Sequence, residues 1–182
     1  MRLVAFGLAL AALATLQASA TDYAAPRAPA VPDGTGYVDI PGAQVAIDPA
    51  HVYKVIVDGV NAAAKPTGLV PALGRASLIT NALTVGRVPA ANRKVVVVFH
   101  GPSVDGLLTN DAYRKQFGVD NPNLKVIAQL VAAGVDLFVC GQHMANHKLG
   151  IEMLAPGIKL STAASIVLMA YQNDGYAVLA DR

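Results

Sequence analysis

Cys140 is the only cysteine among the 182 residues, and it ends the strand-like run VDLFVC just before Gly141-Gln142-His143. His100 ends a second such run, KVVVVFH, and is followed by Gly101-Pro102-Ser103. A thiol at a strand end, with a helix beginning just after it, feels the positive end of the helix dipole and meets free backbone N–H groups. Both favour the thiolate. A protonated His100 or His143 nearby favours it further. The thiolate is the nucleophile in sulfur transfer and in thiol–disulfide exchange, so this is the chemistry that Cys140 suits. Gly141 allows close approach of backbone to a ligand or a positive φ. Gly101, Gly141 and Gln142 are therefore candidate ligand contacts beside the candidate reactive residues Cys140, His100 and His143. The plainer reading stands next to this one: a lone cysteine often packs as a small hydrophobe, and a strand-end histidine often bonds a neighbouring carbonyl.

A second pattern overlaps the first. Cys140, His143 and His147 have the spacing C-x2-H-x3-H. On a helix, His143 and His147 share a face, and one thiolate with two imidazoles suits zinc or copper, with His100 as a fourth ligand. No second cysteine supports this, and Gly141 and Gly150 shorten any helix, so an exposed loop carrying two histidines is the alternative. No cofactor is expected, since no G-x-G-x-x-G follows a strand and no P-loop is present. There is likewise no G-x-S-x-G and no C-x-x-C. Asp58, Asp105, Asp111 and Asp120 form no evident acid/base pair and read as turn residues or helix caps.

The elements that must position these residues alternate along the chain. Residues 52–60 (VYKVIVDGV) and 94–100 (KVVVVFH) read as strands, the second apolar throughout, as when both faces are covered. Between them, Leu69, Leu73, Ala76, Ile79 and Leu83 recur at steps of four and three, an amphipathic helix over residues 68–86 bounded by Pro66 and Pro89. Residues 110–117 and 123–133 read as two helical pieces, with Gly134 as a cap. Residues 135–140 form a third strand and 158–160 a short fourth. Ser161 or Thr162 caps a helix to Asn173 with Ile166, Met169 and Ala170 inward, and residues 176–179 form a last strand. This alternation predicts an α/β fold: a three-layer sandwich with a mostly parallel sheet of about five strands and helices on both faces. Ligands of such sheets bind at the carboxyl ends of the strands, where His100 and Cys140 both fall.

The start of the chain has the grammar of a signal peptide: Arg2, an uncharged apolar run over residues 3–16, and the A-x-A site Ala18-Ser19-Ala20. The apolar run is shorter than the roughly 20 residues of a membrane span. The expected organisation is a signal peptide at 1–20, a Pro/Gly-rich tether at 21–50 and a domain at 51–182. Export to the periplasm or outside the cell follows, with no membrane span after cleavage. Cleavage takes Lys+Arg from 14 to 13 against 12 Asp+Glu, a balance that steers the chain to neither nucleic acid nor an anionic membrane. In an oxidising compartment an unpaired cysteine is unusual, so Cys140 is a packed filler, a reactive thiol, a metal ligand or half of an intermolecular bond.

Taken in order, YKVIVDG, the helix with Asn81, VVVVFHGPSVDGLL, FGVDNPNL, LVAAGVDLFVCGQH and NDGYAVL resemble the DsrE/DsrF-like family from about residue 51 to residue 179. The resemblance implies a three-layer α/β domain and homo-oligomers, often trimers or hexamers. It also implies a cysteine that carries sulfur as a persulfide between donor and acceptor proteins. On these motifs Cys140 matches the family's strand-end cysteine and His100 its strand-end histidine. His143 departs from the pattern, standing where a small hydroxyl residue commonly follows Cys-Gly-Gln.

Overall fold

The computed structural model describes residues 22–181. The expected signal peptide lies outside the described residues. β-Branched runs supply the strands: β1 (Tyr53–Gly59), β2 (Arg93–Phe99), β3 (Asp136–Cys140), β4 (Ile158–Ser161) and β5 (Ala177–Ala180). All neighbours pair in parallel, in the order β4-β3-β2-β1-β5. β2 lies at the centre, and its residues from Val95 to Phe99 are all buried, as its unbroken apolar run requires.

Helices α1 (Pro71–Val85) and α3 (Leu124–Ala132) cover one face of the sheet. α1 opens on Pro71, whose missing N–H costs a first turn nothing. α2 (Asn110–Phe117) is capped by the Thr109 hydroxyl, which accepts from the Ala112 N–H, and it stops at the left-handed Gly118. The main core lies under this face, built from Val55, Val57, Leu73, Val97, Phe99, Ile127 and Leu137 among others. The opposite face carries α5 (Ala164–Asn173), over a smaller cluster of Ile56, Val96, Val98, Cys140, Ala164 and Val167. The fold is thus a three-layer α/β sandwich with five parallel strands. No helix among the described residues is long and apolar enough to cross a membrane.

Two expectations change. The inward residues of α5 are Ala164 and Val167, while Ile166 and Met169 are 50% and 52% exposed and Ala170 is also exposed. Its N-cap is Ala163 with no side-chain cap bond, not Ser161 or Thr162. Two small inward residues let the helix sit close over Val98 and Cys140, which turns the bulkier pair outward.

Residues 22–50 do not run free as a tether. They are a strap docked on α1. Val31 is fully buried, and Arg27 and Tyr37 exchange two backbone hydrogen bonds of 2.8 Å. The key partner is Asn81, buried on α1. Its Oδ1 accepts the N–H of Ala30 and Val31 at 3.0 and 2.9 Å, and its Nδ2 donates to the carbonyls of Val31 and Thr35. Ser77 Oγ accepts the Thr35 N–H at 2.8 Å. Proline and glycine keep the strap out of any sheet. Its backbone polar groups still need partners once buried, and these two side chains supply them.

This accounting makes Asn81 the anchor. Asn81→Ala is expected to lower the free energy of unfolding by about 2 kcal/mol, because buried strap amides lose their acceptor. Asp33→Ala, which removes an exposed partner of Gln129, is expected to stay within about 0.5 kcal/mol. Urea denaturation of the two variants checks both values; equal effects would show that the strap is not held through Asn81.

Candidate functional site

Alternation along the strands decides which side chains meet. On β1, Val55 and Val57 face the main core and Ile56 the smaller cluster; on β2 the same holds for Val95, Val97 and Phe99 against Val96 and Val98. Asp58 and His100 therefore fall on the α5 face, His100 through its extended backbone (φ −152°, ψ 170°). The β2–β3 register ends with Phe99 opposite Val139. His100 and Cys140 are the next residues on these neighbouring strands, which run about 4.8 Å apart. Three adjacent strands so deliver Asp58, His100 and Cys140 to one edge and one face.

The pair at the centre is Asp58 with His100. Asp58 Oδ1 stands 2.8 Å from His100 Nε2, with the two side chains 29% and 31% exposed. A carboxylate only accepts, so this contact assigns the proton to Nε2 and leaves Nδ1 as the free acceptor. The backbone around the pair is fixed. His100 N–H donates to Gly59 O at 2.9 Å, and the buried Ser103 hydroxyl bonds the carbonyls of Gly59 and His100 at 2.7 and 2.9 Å. Gly101 makes the turn at φ +58°, where a side chain would be strained.

Cys140 is 7% exposed and packs in the cluster with Ile56, Val96, Val98, Ala164 and Val167. It is the N-cap of α4 (Gly141–Asn146), but α4 has only six residues and no side-chain cap bond. The dipole acting on the thiol is correspondingly small. Gly141 has no positive φ; a Cβ there would collide with the Ser161 carbonyl. Gln142 Nε2 donates to Thr162 O at 3.3 Å. Both residues thus fit α4 against the connection from β4 to α5.

His143 lies over the same edge. Partial burial lowers its pKa from the usual 6.5, and the neighbouring His147 charge lowers it further; Asp105 opposes the shift and His100 adds to it. The His143 and His147 rings stack at 4.0 Å, and His147 Nδ1 lies 2.9 Å from the His143 carbonyl. Cys140, by contrast, packs beneath α5, and among the described residues no group of three His, Cys, Asp or Glu gathers to hold a metal ion. Beside the edge a cavity of about 150 Å³ is lined by Ala63, Lys65, Pro66, Pro102, Asp105 and Tyr113.

Asp58 and Asp105 are the residues that sequence reasoning passed over as turn or cap positions. For Asp58 a signal existed: a carboxylate at the carboxyl end of the otherwise β-branched run YKVIVDG. It is a strand residue with a side chain on the site face.

The sequence model of the DsrE/DsrF-like family matches residues 73–180. A solved structure of a protein of unknown function from Methanobacterium thermoautotrophicum, MTH1491, aligns with a TM-score of 0.49 at 16% identity, covering 70% of this chain and 98% of that one. No curated protein matches.

A histidine held below its usual pKa binds fewer protons folded than unfolded near that pH. His143 therefore costs the fold nothing above the ordinary histidine range and destabilises it as pH falls through 6.5. An NMR titration is expected to give His143 a midpoint below 6.5, rising in His147→Gln as the repelling charge is lost. A midpoint at or above 6.5 in the unmodified chain would contradict the assigned burial and pairing.

Proposed function

The chain belongs to the DsrE/DsrF-like family, and on that premise we propose that it is an exported sulfur-handling protein of the cell envelope whose Cys140 holds sulfane sulfur as a persulfide. The observation that carries this reading is the Asp58–His100 pair, with His100 at the end of β2, the strand next to that of Cys140. Asp58 keeps the proton on Nε2, so Nδ1 of His100 can accept the proton of the Cys140 thiol. The thiolate then attacks the outer sulfur of a donor persulfide, R–S–SH. A Cys140 S–S bond forms, the donor S–S bond breaks, and the departing thiolate R–S⁻ takes a proton back from His100. Passing the sulfur to an acceptor thiol reverses these steps. No external oxidant or reductant is needed.

The burial of Cys140 fits holding better than rapid turnover. An apolar pocket excludes the water and stray thiols that strip a persulfide, while requiring local movement of α5 or α4 for a donor to enter. A carrier is therefore the better description than an enzyme. The periplasmic or secreted location rests on the arrangement of Arg2, the apolar run and Ala18-Ser19-Ala20.

A second reading draws on the same burial together with the neighbouring cavity. In it the protein is a non-catalytic module that binds a small ligand or a protein at the loops beyond β1 and β2, with Cys140 as packing. The two readings separate on one residue, because only the carrier loses its role in Cys140→Ser.

We further propose a homo-oligomer, a trimer or hexamer, built on the α5 face. Ile166 and Met169 of α5 are exposed there, and Val178 of the edge strand β5, the register partner of Ile56, has the same facing. Large apolar side chains left exposed together on a helix mark an interaction surface.

Incubation with a low-molecular-weight persulfide is expected to add one sulfur atom to Cys140 by mass spectrometry. His100→Gln should slow the addition by about a hundredfold and Asp58→Asn by less, in line with the loss of a general base. A thiol that takes up no sulfur and resists alkylation until the chain is denatured would end the carrier reading. For the assembly, light scattering of Ile166→Glu combined with Met169→Glu is expected to give a lower mass than the unmodified chain; an unchanged mass would move the interface elsewhere.

A further inference from the structure

Asp181 follows β5 directly and is 3% exposed. Its Oδ2 accepts the backbone N–H groups of Val60 and Asn61, both at 2.8 Å, and its Oδ1 accepts Asn61 Nδ2 at 2.7 Å. These partners are 120 and 121 residues away in sequence, so the carboxylate caps no local turn. Two successive backbone N–H groups converging on one oxygen is the pattern of backbone anion sites. The position points the same way. The strands step outward from β1 to β4, and the chain then returns to the other side of β1 as β5, so the order reverses between β1 and β5. Open parallel sheets take ligands beyond the carboxyl ends of their strands at that reversal.

We propose that the end of β1 is a carboxylate-binding site, occupied in this chain by its own Asp181 and open to a small monocarboxylate when Asp181 leaves. The donors define the ligand class. All three are neutral and they divide between two oxygens, which matches a planar monoanion; a phosphate dianion would be desolvated without a cation to meet it. The site reports to the neighbouring pair as well. Ala180 is the register partner of Asp58, the Val60 carbonyl accepts from Ser103 N–H, and Ser103 Oγ bonds the His100 carbonyl. A carboxylate bound in place of Asp181 thus holds the same backbone that holds His100. The inference stands apart from the sulfur reading, since none of its donors takes part in that chemistry.

The test uses the full chain carrying Asp181→Gly, labelled with ¹⁵N and titrated with sodium acetate at constant ionic strength against sodium chloride. Saturable shifts of the Val60 and Asn61 backbone amides and the Asn61 side-chain amide are expected with acetate. Smaller shifts are expected with inorganic phosphate, and none with acetate on the unmodified chain. Should Asp181→Gly be unfolded in dilute buffer, acetate is expected to refold it, because a ligand that binds only the folded state stabilises it. The proposal is overturned by the absence of a saturable shift, by equal shifts with chloride (an adventitious ion only), by the same shifts in the unmodified chain, or by a variant that stays unfolded in saturating acetate.

Discussion

The parallel register of β1, β2 and β3 is the constraint on which the site depends. Parallel strands all leave the sheet at one edge, so residues far apart in sequence arrive side by side at their carboxyl ends. Alternation then selects the face. Asp58, His100 and Cys140 have the parity of Ile56, Val96, Val98 and Phe138, and so stand on the α5 side. A one-residue slip between β1 and β2 would send Asp58 to the other face and leave His100 Nε2 without its carboxylate. The slip is prevented by burial on both faces, since every shifted side chain in these strands would have to find new packing.

That same reasoning explains what could be read from the sequence. Residues 94–100 are a strand because no other element accommodates four consecutive valines so well, and β2 differs from that reading by one residue at each end. His100 and Cys140 could be assigned to strand ends because glycine follows each. Asp58 was harder. A carboxylate next to a glycine has the signature of a turn, and only the three-dimensional neighbour on β2 reveals it as a partner. The phase of α5 was hidden for a related reason. Ile166 and Met169 are the natural inward residues of an amphipathic helix, but Ala164 and Val167 are the ones that fit the close approach over Cys140. The strap was least legible: its contacts run from backbone to the Asn81 and Ser77 side chains, and neither periodicity nor composition encodes them.

The two faces of the sheet are unequal, and the inequality separates stability from function. Beneath α1 and α3 lies the larger core, closed on its outer side by the strap. The α5 face has six buried residues and one helix, with the exposed Val178 of the edge strand β5 beside it. Burial of apolar area contributes about 25 cal/mol per Å², so the first face accounts for most of the hydrophobic stabilisation. Small movements of α5 therefore cost little compared with movements of α1. The only thiol sits under the lightly held helix, on the side where rearrangement is cheapest.

A buried thiol and a site for sulfur exchange make opposite demands. Reaction needs approach from solvent, while retention of a persulfide needs exclusion of it. The resolution lies in what each element is attached to. His100 and Asp58 are fixed by Gly59, Ser103 and the β1–β2 ladder, so the imidazole keeps its place. The cover over Cys140 is held mainly by packing, with Ala164, Val167 and the Tyr171 ring against Phe138, and by side-chain bonds from Gln142 to Thr162 and from Ser161 to Val139. In the proposed carrier, opening the cover leaves His100 in position, and closing it returns the sulfur to an apolar pocket. On that proposal the rigid half of the site supplies the chemistry and the yielding half controls access, a division that follows from placing His100 at the end of the central strand and the thiol on the neighbour of the edge strand β4.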